Sequence, residues 1–505
     1  MKVADHSTSK LARFLPVLIA LCVFWAIGLS HLAVVPIVYD DEPWQASTAW
    51  KLAREGIFGS DLFTGYYGME RRYYGFLPLY PLTLALVFHF AESGLWQARF
   101  LSVACSALVL ALTYALAQRL WRDPRKSSLA IFFLLTLRWF AETPLHPTGI
   151  LFLDVARLAR YDVLVPVFAL GALHFLISAQ RTERNLFFFV AGMLAGLAGL
   201  THLYGLVMIP VLCVLVIWQA RARWVVQCAW IFGGALVMWL PYFAYVLGDV
   251  ALWRAQTRIY APRFDLLNPN WYWENLAREA TRYAIGFNQS PPLALRAGFW
   301  FVVSATPLGF VMLLKRAVLD QDARARFLLA PLVLLPLFFA LLLQLKFTNY
   351  LFVVAPFAAV LIAWTFVTLW DEVKKYPWRK WAQLALVGLL LAIGIEATTR
   401  VIHLNALAAT TTPYTELQAR LRAMIPRGAR VLGLPKYGFE QEAFEYRSAL
   451  VPFMLANPAL NENAIALDKA LDAQQTDYIR TFACHFERSE KSRFAQRDFS
   501  QNRSK

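Results

Sequence analysis

Three consecutive carboxylates, Asp40, Asp41 and Glu42, follow directly on the first long apolar segment of the chain, in the run Tyr39-Asp40-Asp41-Glu42-Pro43-Trp44. Adjacent carboxylates repel one another unless a proton, a cation or a basic ligand offsets their charge. One of them could act as a general base toward a hydroxyl or an amine. The same residues also suit a plainer role, because Asp and Glu are common in the first turn of a helix, where they face the positive end of the peptide dipoles. A second group lies between Pro147 and Asp162 and contains Asp154, Arg157, Arg160 and Asp162. In a helix, Asp154, Arg157 and Arg160–Tyr161 would stack at three-to-four residue spacing. Such a carboxylate–arginine set could bind an anionic or hydroxyl-bearing ligand, or pin a helix end. Further candidates are His202 with Tyr204, Lys346 with Asn349 and Tyr350, and Arg71 and Arg72 among Tyr66, Tyr67, Tyr73 and Tyr74.

The elements that carry these residues are apolar. The chain is 59% hydrophobic and 16% charged, against about 25% charged in a typical soluble domain. Apolar runs recur from residue 12 to residue 396, many near the roughly 20 residues that cross a bilayer as a helix. They predict eleven spans, at 12–34, 98–119, 128–141, 161–178, 186–201, 203–220, 224–246, 297–315, 327–345, 350–369 and 381–397. The net charge is +16. Its placement excludes nucleic acid as the natural partner. The basic residues collect in short connections, at Arg119–Lys126, Arg181–Arg184, Arg221–Arg223, Lys315–Arg326 and Lys374–Lys380, which is the positive-inside pattern. The first segment, preceded by Lys10 and Arg13, reads as a retained helix and not as a cleaved signal peptide. The five cysteines include no CxxC pair, which argues against structural disulfides and a cysteine metal site.

With the N-terminus inside, eleven crossings put every basic connection in the cytoplasm and the carboxylates of the first loop outside. The apolar stretch 76–90 is short, with Pro78 and Pro81 near its start, and reads as an interfacial helix on the outer face. The resulting organisation is a transmembrane module, 1–397, with outer loops 35–97, 142–160 and 247–296. A small α/β extracytoplasmic domain follows at 398–486, announced by the turn Pro426-Arg427-Gly428 and the strand-like Ala429–Leu434. A polar tail, 487–505, has too little apolar content to pack. In this frame Lys346 at an outer helix mouth could coordinate a lipid phosphate or snorkel to headgroups. Arg71 and Arg72 with their tyrosines suit a phosphate and a sugar ring, or docking on headgroups.

Read as motifs in order, these residues resemble the polyprenyl-phosphate-dependent glycosyltransferases of the GT-C fold, in the branch of the protein O-mannosyltransferases and the aminoarabinose transferase that modifies lipid A. The resemblance is carried by DDEPWQASTAWKLAREG after the first helix, GFLPLYPL at 75–82, Arg99 opening the second span, LAQRLW at 116–121, ARLARYDVLV at 156–165, AGLAGLTHLYG at 195–205, and Lys346 with Tyr350. Where relatives carry a basic residue before a double proline, this chain has Gly75-Phe76 and a single proline, with Arg71 or Arg72 as substitutes.

The resemblance implies an inverting transferase in a bacterial inner membrane, its active site facing the periplasm. It would move a hexosyl or pentosyl group from a polyprenyl-phosphate-linked sugar to lipid A, another envelope glycan or glycolipid, or a protein. It assigns Asp41 as the base or acceptor-orienting carboxylate, supported by Glu42, with Asp162 orienting the acceptor or assisting the base. Arg71, Arg72, Lys346 and Tyr350 would hold the donor phosphate. Asp154, Arg160, His202 and Tyr204 would hold acceptor or sugar. No cofactor is required; a divalent cation, if any, would bind Asp41. Two other classes stand beside the enzyme: a transporter or flippase of a lipid-linked solute, which should carry charges in mid-span, and a structural protein of envelope assembly.

Overall fold

The computed structural model describes residues 8–140, 142–219, 222–284, 297–439 and 443–479. Lys2, Arg221, Cys484 and the tail 487–505 lie outside them. The apolar runs form helices. α1 (Thr8–Leu29) leads into the acidic junction and α2 (Asp41–Glu55), with Asp41 and Glu42 in its first turn and Gly56 closing its end at φ +71°, a left-handed conformation that glycine adopts without strain. α3 (Leu79–Phe90), α4 (Leu95–Trp121), α5 (Pro124–Thr136) and the short α6 (Leu151–Ala156) come next. Asp123 caps α5 by accepting from the Arg125 amide, with Pro124 at the first helical position, as helix starts favour. α7 (Leu164–Thr182), α8 (Asn185–Thr201), α9 (Met208–Trp218), α10 (Trp224–Leu247), α11 (Val250–Thr257) and α12 (Pro269–Ala284) follow. The last long helices are α13 (Ala297–Val318), α14 (Ala323–Leu342), α15 (Ala355–Val373) and α16 (Arg379–Thr410).

Every one of the eleven expected segments falls on a helix. Among the described residues six stretches are long and apolar enough to cross a membrane: Leu95–Trp121, Tyr161–Thr182, Trp224–Leu247, Ala323–Leu342, Ala355–Val373 and the one that begins at Arg379. The chain is therefore a polytopic, largely α-helical membrane protein. α3 spans 12 residues, or about 18 Å at 1.5 Å per residue, which is short of the ~30 Å hydrocarbon layer. Several boundaries differ from expectation; the first span, expected to reach 34, ends at Leu29. The span expected at 128–141 stops at Thr136, and Arg138 beyond it pairs with Glu142 at 3.1 Å and Glu396 at 3.2 Å. α16 continues as one helix to Thr410, so the division placed at residue 398 falls inside it.

The terminal unit contains α17 (Tyr414–Met424), α18 (Leu450–Ala456), α19 (Leu467–Asp472) and a parallel sheet of order β2-β1-β3, from β1 (Arg430–Gly433), β2 (Glu445–Ser448) and β3 (Tyr478–Ile479). It does not stand alone. Leu62, Phe63, Tyr66 and Met69 of the first outer loop share one apolar cluster with Val431, Phe444 and Val451. Tyr66 and Tyr67 donate to the Leu460 carbonyl at 3.0 Å and to Asn461 at 2.7 Å.

Two features hold the helices that carry the first motif residues. α8 crosses α10 at backbone contact: a Cβ on Gly192 would come within 2.0 Å of the Ile231 carbonyl oxygen, and one on Gly234 within 2.0 Å of Phe189 O. Small residues allow this close approach between membrane helices. The other is a pair of buried arginines that grip the turn after α1. Arg157 donates to the carbonyls of Ile27, Gly28, Ser30 and Val35 at 2.6 to 3.0 Å. It thereby supplies donors and positive charge to the open end of α1. Arg99 donates to Leu32 O, Pro36 O and Ile37 O, and makes a two-pronged pair with Glu42 at 2.9 Å on each arm. Neither Arg99 nor Glu42 has any exposed surface.

Replacing Gly192 by leucine should separate α8 from α10 and lower the thermal midpoint in detergent, whereas Gly233→Leu, where a Cβ meets nothing, should not; equal midpoints would contradict the close crossing. Arg99→Met leaves Glu42 buried without its partner, a loss of roughly 3–5 kcal/mol, and Arg99→Met/Glu42→Met should recover most of it. A single variant as heat-stable as the parent protein would show that the pair does not hold the junction.

Candidate functional site

The clamp fixes where the acidic run points. Glu42 is fully engaged: Oε1 accepts from Arg99 and the Ala159 amide (2.7 Å), and Oε2 from Arg99 and the Tyr39 amide (2.8 Å). Four donors fill the carboxylate's acceptor sites, so it has no room for a substrate proton. Glu42 also ties the start of α2 to the segment before Arg160. Its neighbour Asp41, with 23% of its side chain exposed, faces Arg160 at 2.6 Å through Oδ2.

Arg160 is the centre of the cluster. It is 1% exposed and pairs with both Asp41 and Asp162, the latter through Nε at 2.8 Å. Tyr39 and Tyr161 flank its guanidinium at 4.9 and 5.1 Å from their ring centroids, and Tyr161 OH accepts from it at 3.1 Å. Asp162 is completely buried, with one oxygen held by Arg160 and the other accepting from Tyr204 OH at 3.2 Å. The rest of the wall is aromatic. His202 stacks on Tyr161 at 4.5 Å, and Tyr350 packs against His202 at 5.4 Å and Tyr204 at 4.9 Å. Phe76 closes on Tyr161 from the first outer loop.

All these groups stand at helix ends. Asp41 opens α2, Arg160 and Asp162 precede α7, His202 and Tyr204 lie between α8 and α9, and Tyr350 precedes α15. Burial pushes the Asp41 carboxyl up from its ordinary value, Arg160 opposes this, and Asp162 and Asp40 add to it. Desolvation of the charged form is the physical cause.

The other candidates are placed elsewhere. Asp154 is buried, accepts from the Thr148 amide and hydroxyl at 3.1 and 2.8 Å, and is pushed up by burial to about 7; it braces its own loop. Lys346 pairs with Glu279 at 2.9 Å and donates to the carbonyls of Phe339 and Ala340. Arg72 lies over the Tyr245 ring at 4.6 Å and donates to its carbonyl, and the Arg71 side chain is 89% exposed. The four residues expected to share a donor phosphate are thus dispersed, and of them Tyr350 alone joins the aromatic cluster. A nearby cation that sequence reasoning did not single out is Arg263. It is half-buried, lies 4.9 Å from the Tyr260 ring and is within electrostatic reach of His202. Tyr260 in turn donates to Gly75 O at 2.6 Å and feels the charge of Asp41. Only folding of the third outer loop against the first brings Arg263 here, and no spacing in the sequence announces it. Among the described residues no group of three His, Cys, Asp or Glu is placed to hold a metal ion.

A separate cavity of about 410 Å3 lies between α2, the first outer loop and the terminal sheet, lined by Ser47, Trp50, Arg54, Glu70 and Arg447 among others. At about 100° of turn per residue, those α2 positions face away from Asp41, so this cavity is not the Arg160 cluster.

Neither a protein-family model nor a curated protein sequence matches the chain. Solved structures do. ArnT from Cupriavidus metallidurans, bound to undecaprenyl phosphate, superposes with a TM-score of 0.55 at 14% identity, covering 85% of each chain. The archaeal oligosaccharyltransferase AglB from Archaeoglobus fulgidus, in complex with an inhibitory peptide and a dolichol-phosphate, gives 0.57 at 12% identity over 94% of this chain and 69% of its own. With these two proteins the chain shares a polytopic membrane fold of the GT-C type over most of its length.

Proposed function

We propose that this protein is an inverting glycosyltransferase that moves a sugar from a polyprenyl-phosphate-linked donor to an acceptor on the periplasmic side of a bacterial inner membrane. The observation that carries this reading is the Asp41–Arg160–Asp162 cluster, set in an aromatic wall at one end of the helices, in a fold shared with proteins solved with polyprenyl phosphates. The positive-inside charges, with the eleven crossings expected from the apolar runs, support the periplasmic placement.

Asp41 is the base. Arg160 holds it through Oδ2, and Oδ1 takes the proton from the acceptor hydroxyl or amine as that atom bonds to the anomeric carbon. The bond from anomeric carbon to phosphate oxygen breaks on the opposite side, its electron pair leaving with the polyprenyl phosphate. Asp162, with both oxygens engaged, fixes Arg160 and so the orientation of Asp41. Asp41, Asp162 and Arg160 sum to one negative charge, which would repel an anionic donor. Arg263 offsets this as charge grows on the leaving phosphate, an interaction that counts most in the transition state. His202, Tyr204 and Tyr350 supply ring faces suited to a sugar. The acceptor is lipid A, another envelope glycan or glycolipid, or a protein. A divalent cation at Asp41 would compete with Arg160 for the same carboxylate. A transporter would be served by charges in mid-span, whereas this cluster stands at helix ends.

The direct test is transfer by the purified protein in lipid nanodiscs, with a panel of polyprenyl-phosphate sugars and envelope glycolipids, glycans and proteins. Asp41→Asn should lower the rate by at least the roughly 10²–10⁴-fold that a general base contributes while leaving the thermal midpoint nearly unchanged. No transfer with any donor, or near-normal transfer by Asp41→Asn, would remove the function or the base respectively. The pH profile offers a second check. A base whose carboxyl is raised stays protonated to higher pH, so transfer should decline on the acid side at a pH above the ordinary aspartate value of 3.8. A rate that stays flat down to that value would show that no such carboxylate limits it.

A further inference from the structure

Helix α12 turns three polar groups to the protein beside one buried aromatic, Trp271, which is 6% exposed. Asn275 donates to Leu341 O at 3.0 Å, Glu279 pairs with Lys346 at 2.9 Å and Arg282 at 2.7 Å, and Arg282 donates to Phe347 O at 2.8 Å. Asn275 and Arg282 are 1% and 0% exposed. Together with Lys346, these groups donate to carbonyls near the C-terminal end of α14, those of Ala340 and Leu341 among them, where a helix leaves its last carbonyls without intrahelical donors. The opposite side is bare: Trp273 is 69% exposed and Leu276, toward its edge, 40%, with Ala277, Ala280 and Thr281 also exposed. Glu274 and Arg278, paired at 3.6 Å, lie on the boundary between the two sides. Just before the helix, the turn through Phe264, Leu266 and Leu267 is bare as well, with Leu267 97% exposed.

Water would select the reverse arrangement, with apolar residues turned to the protein and charges to the solvent. The exposed Trp273, Leu276 and Leu267 fit an apolar medium on the outer side, and the exposed Glu274–Arg278 pair a polar one along one edge. That combination describes the interfacial layer of a bilayer, where a helix lies in the plane with its apolar face toward the acyl chains and Trp and Tyr sit at headgroup level. The neighbouring α14 is membrane-spanning by length and composition and exposes Val333 and Leu337, so the surface of α12 continues one already expected to meet lipid.

We infer that α12 and the Phe264–Leu267 turn lie in the membrane leaflet on the side of the Arg160 cluster, with Trp273, Leu276 and Leu267 in contact with lipid chains. The inner side of the same helix reaches the cluster, since the Arg282 guanidinium stands 6.0 Å from the Tyr350 ring. α12 is therefore a wall with lipid on one face and the aromatic cluster on the other. If the proposed transfer is correct, that wall sets the cluster at the depth of a membrane-held phosphate. The lipid contact itself does not depend on the transfer.

Site-directed spin labelling tests the inference without any activity. The full chain, with its five native cysteines replaced by alanine, is reconstituted at one copy per nanodisc and labelled at Trp273→Cys, Leu276→Cys, Leu267→Cys or Arg278→Cys. The ratio of collisions with oxygen to collisions with a water-soluble nickel chelate should be severalfold higher at 267, 273 and 276 than at 278. The label at 267 lies outside the helix and keeps the test valid should a helix variant fail to fold. Equal ratios at all four positions would overturn the lipid contact. Spin–spin broadening at 273 in proteoliposomes, absent from single-copy discs, would assign the surface to a second copy of the chain and overturn it equally.

Discussion

Everything at the acidic junction depends on the buried ion pair between Glu42 and Arg99. A charge taken out of water is costly, and in low dielectric it is tolerated only when paired and hydrogen-bonded. Here the pair is complete: the carboxylate has four donors, and the guanidinium divides its remaining N–H groups among three carbonyls of the turn. The result is a rigid corner joining the end of α1, the start of α2 and the segment before Arg160. Asp41 follows from this geometry. It is the next residue along the chain, it cannot turn into the corner that Glu42 fills, and it meets Arg160.

The same logic repeats at α12. Arg282, Glu279 and Lys346 form a second buried charged joint, against the end of α14. The first joint adjoins the cluster through the Ala159 amide and the second through Tyr350, and each consumes charges that would otherwise be candidates for binding substrate. Positioning and chemistry are thus divided between neighbouring residues of like type: Glu42 supports and Asp41 is open, and Lys346 is engaged while Arg263 keeps an accessible flank. Residue type alone does not separate these roles; burial and hydrogen-bond satisfaction do.

This division also explains what could be read from the chain. The helical membrane architecture was legible because apolar runs and basic connections are one-dimensional signals set by bilayer thickness and charge. The strand at Arg430–Gly433 was legible from its turn and its apolar run. Asp41, Arg160 and Asp162 could be named because charged residues are sparse in so apolar a chain, although nothing in their spacing showed that one arginine bridges both acids. The dispersal of Arg71, Arg72 and Lys346 and the approach of Arg263 depend on how outer loops fold over one another, with contacts between residues far apart in the chain, such as Tyr260 with Gly75. The outward aromatic and apolar edge of α12 was hidden for a different reason. Its composition is that of an ordinary amphipathic helix, and the side that faces the protein is set by α14 and Lys346, which lie outside the segment.

A structure of the protein in nanodiscs with a polyprenyl phosphate at saturating concentration tests the central claim most directly, because it locates the phosphate itself. The expected result is a phosphate bound within hydrogen-bond reach of Arg263, on the side of the cluster facing Asp41, with the lipid chain leaving past α12. A phosphate seated on Arg71 and Arg72 away from Asp41, or a cluster left empty while the lipid lies elsewhere, would contradict it.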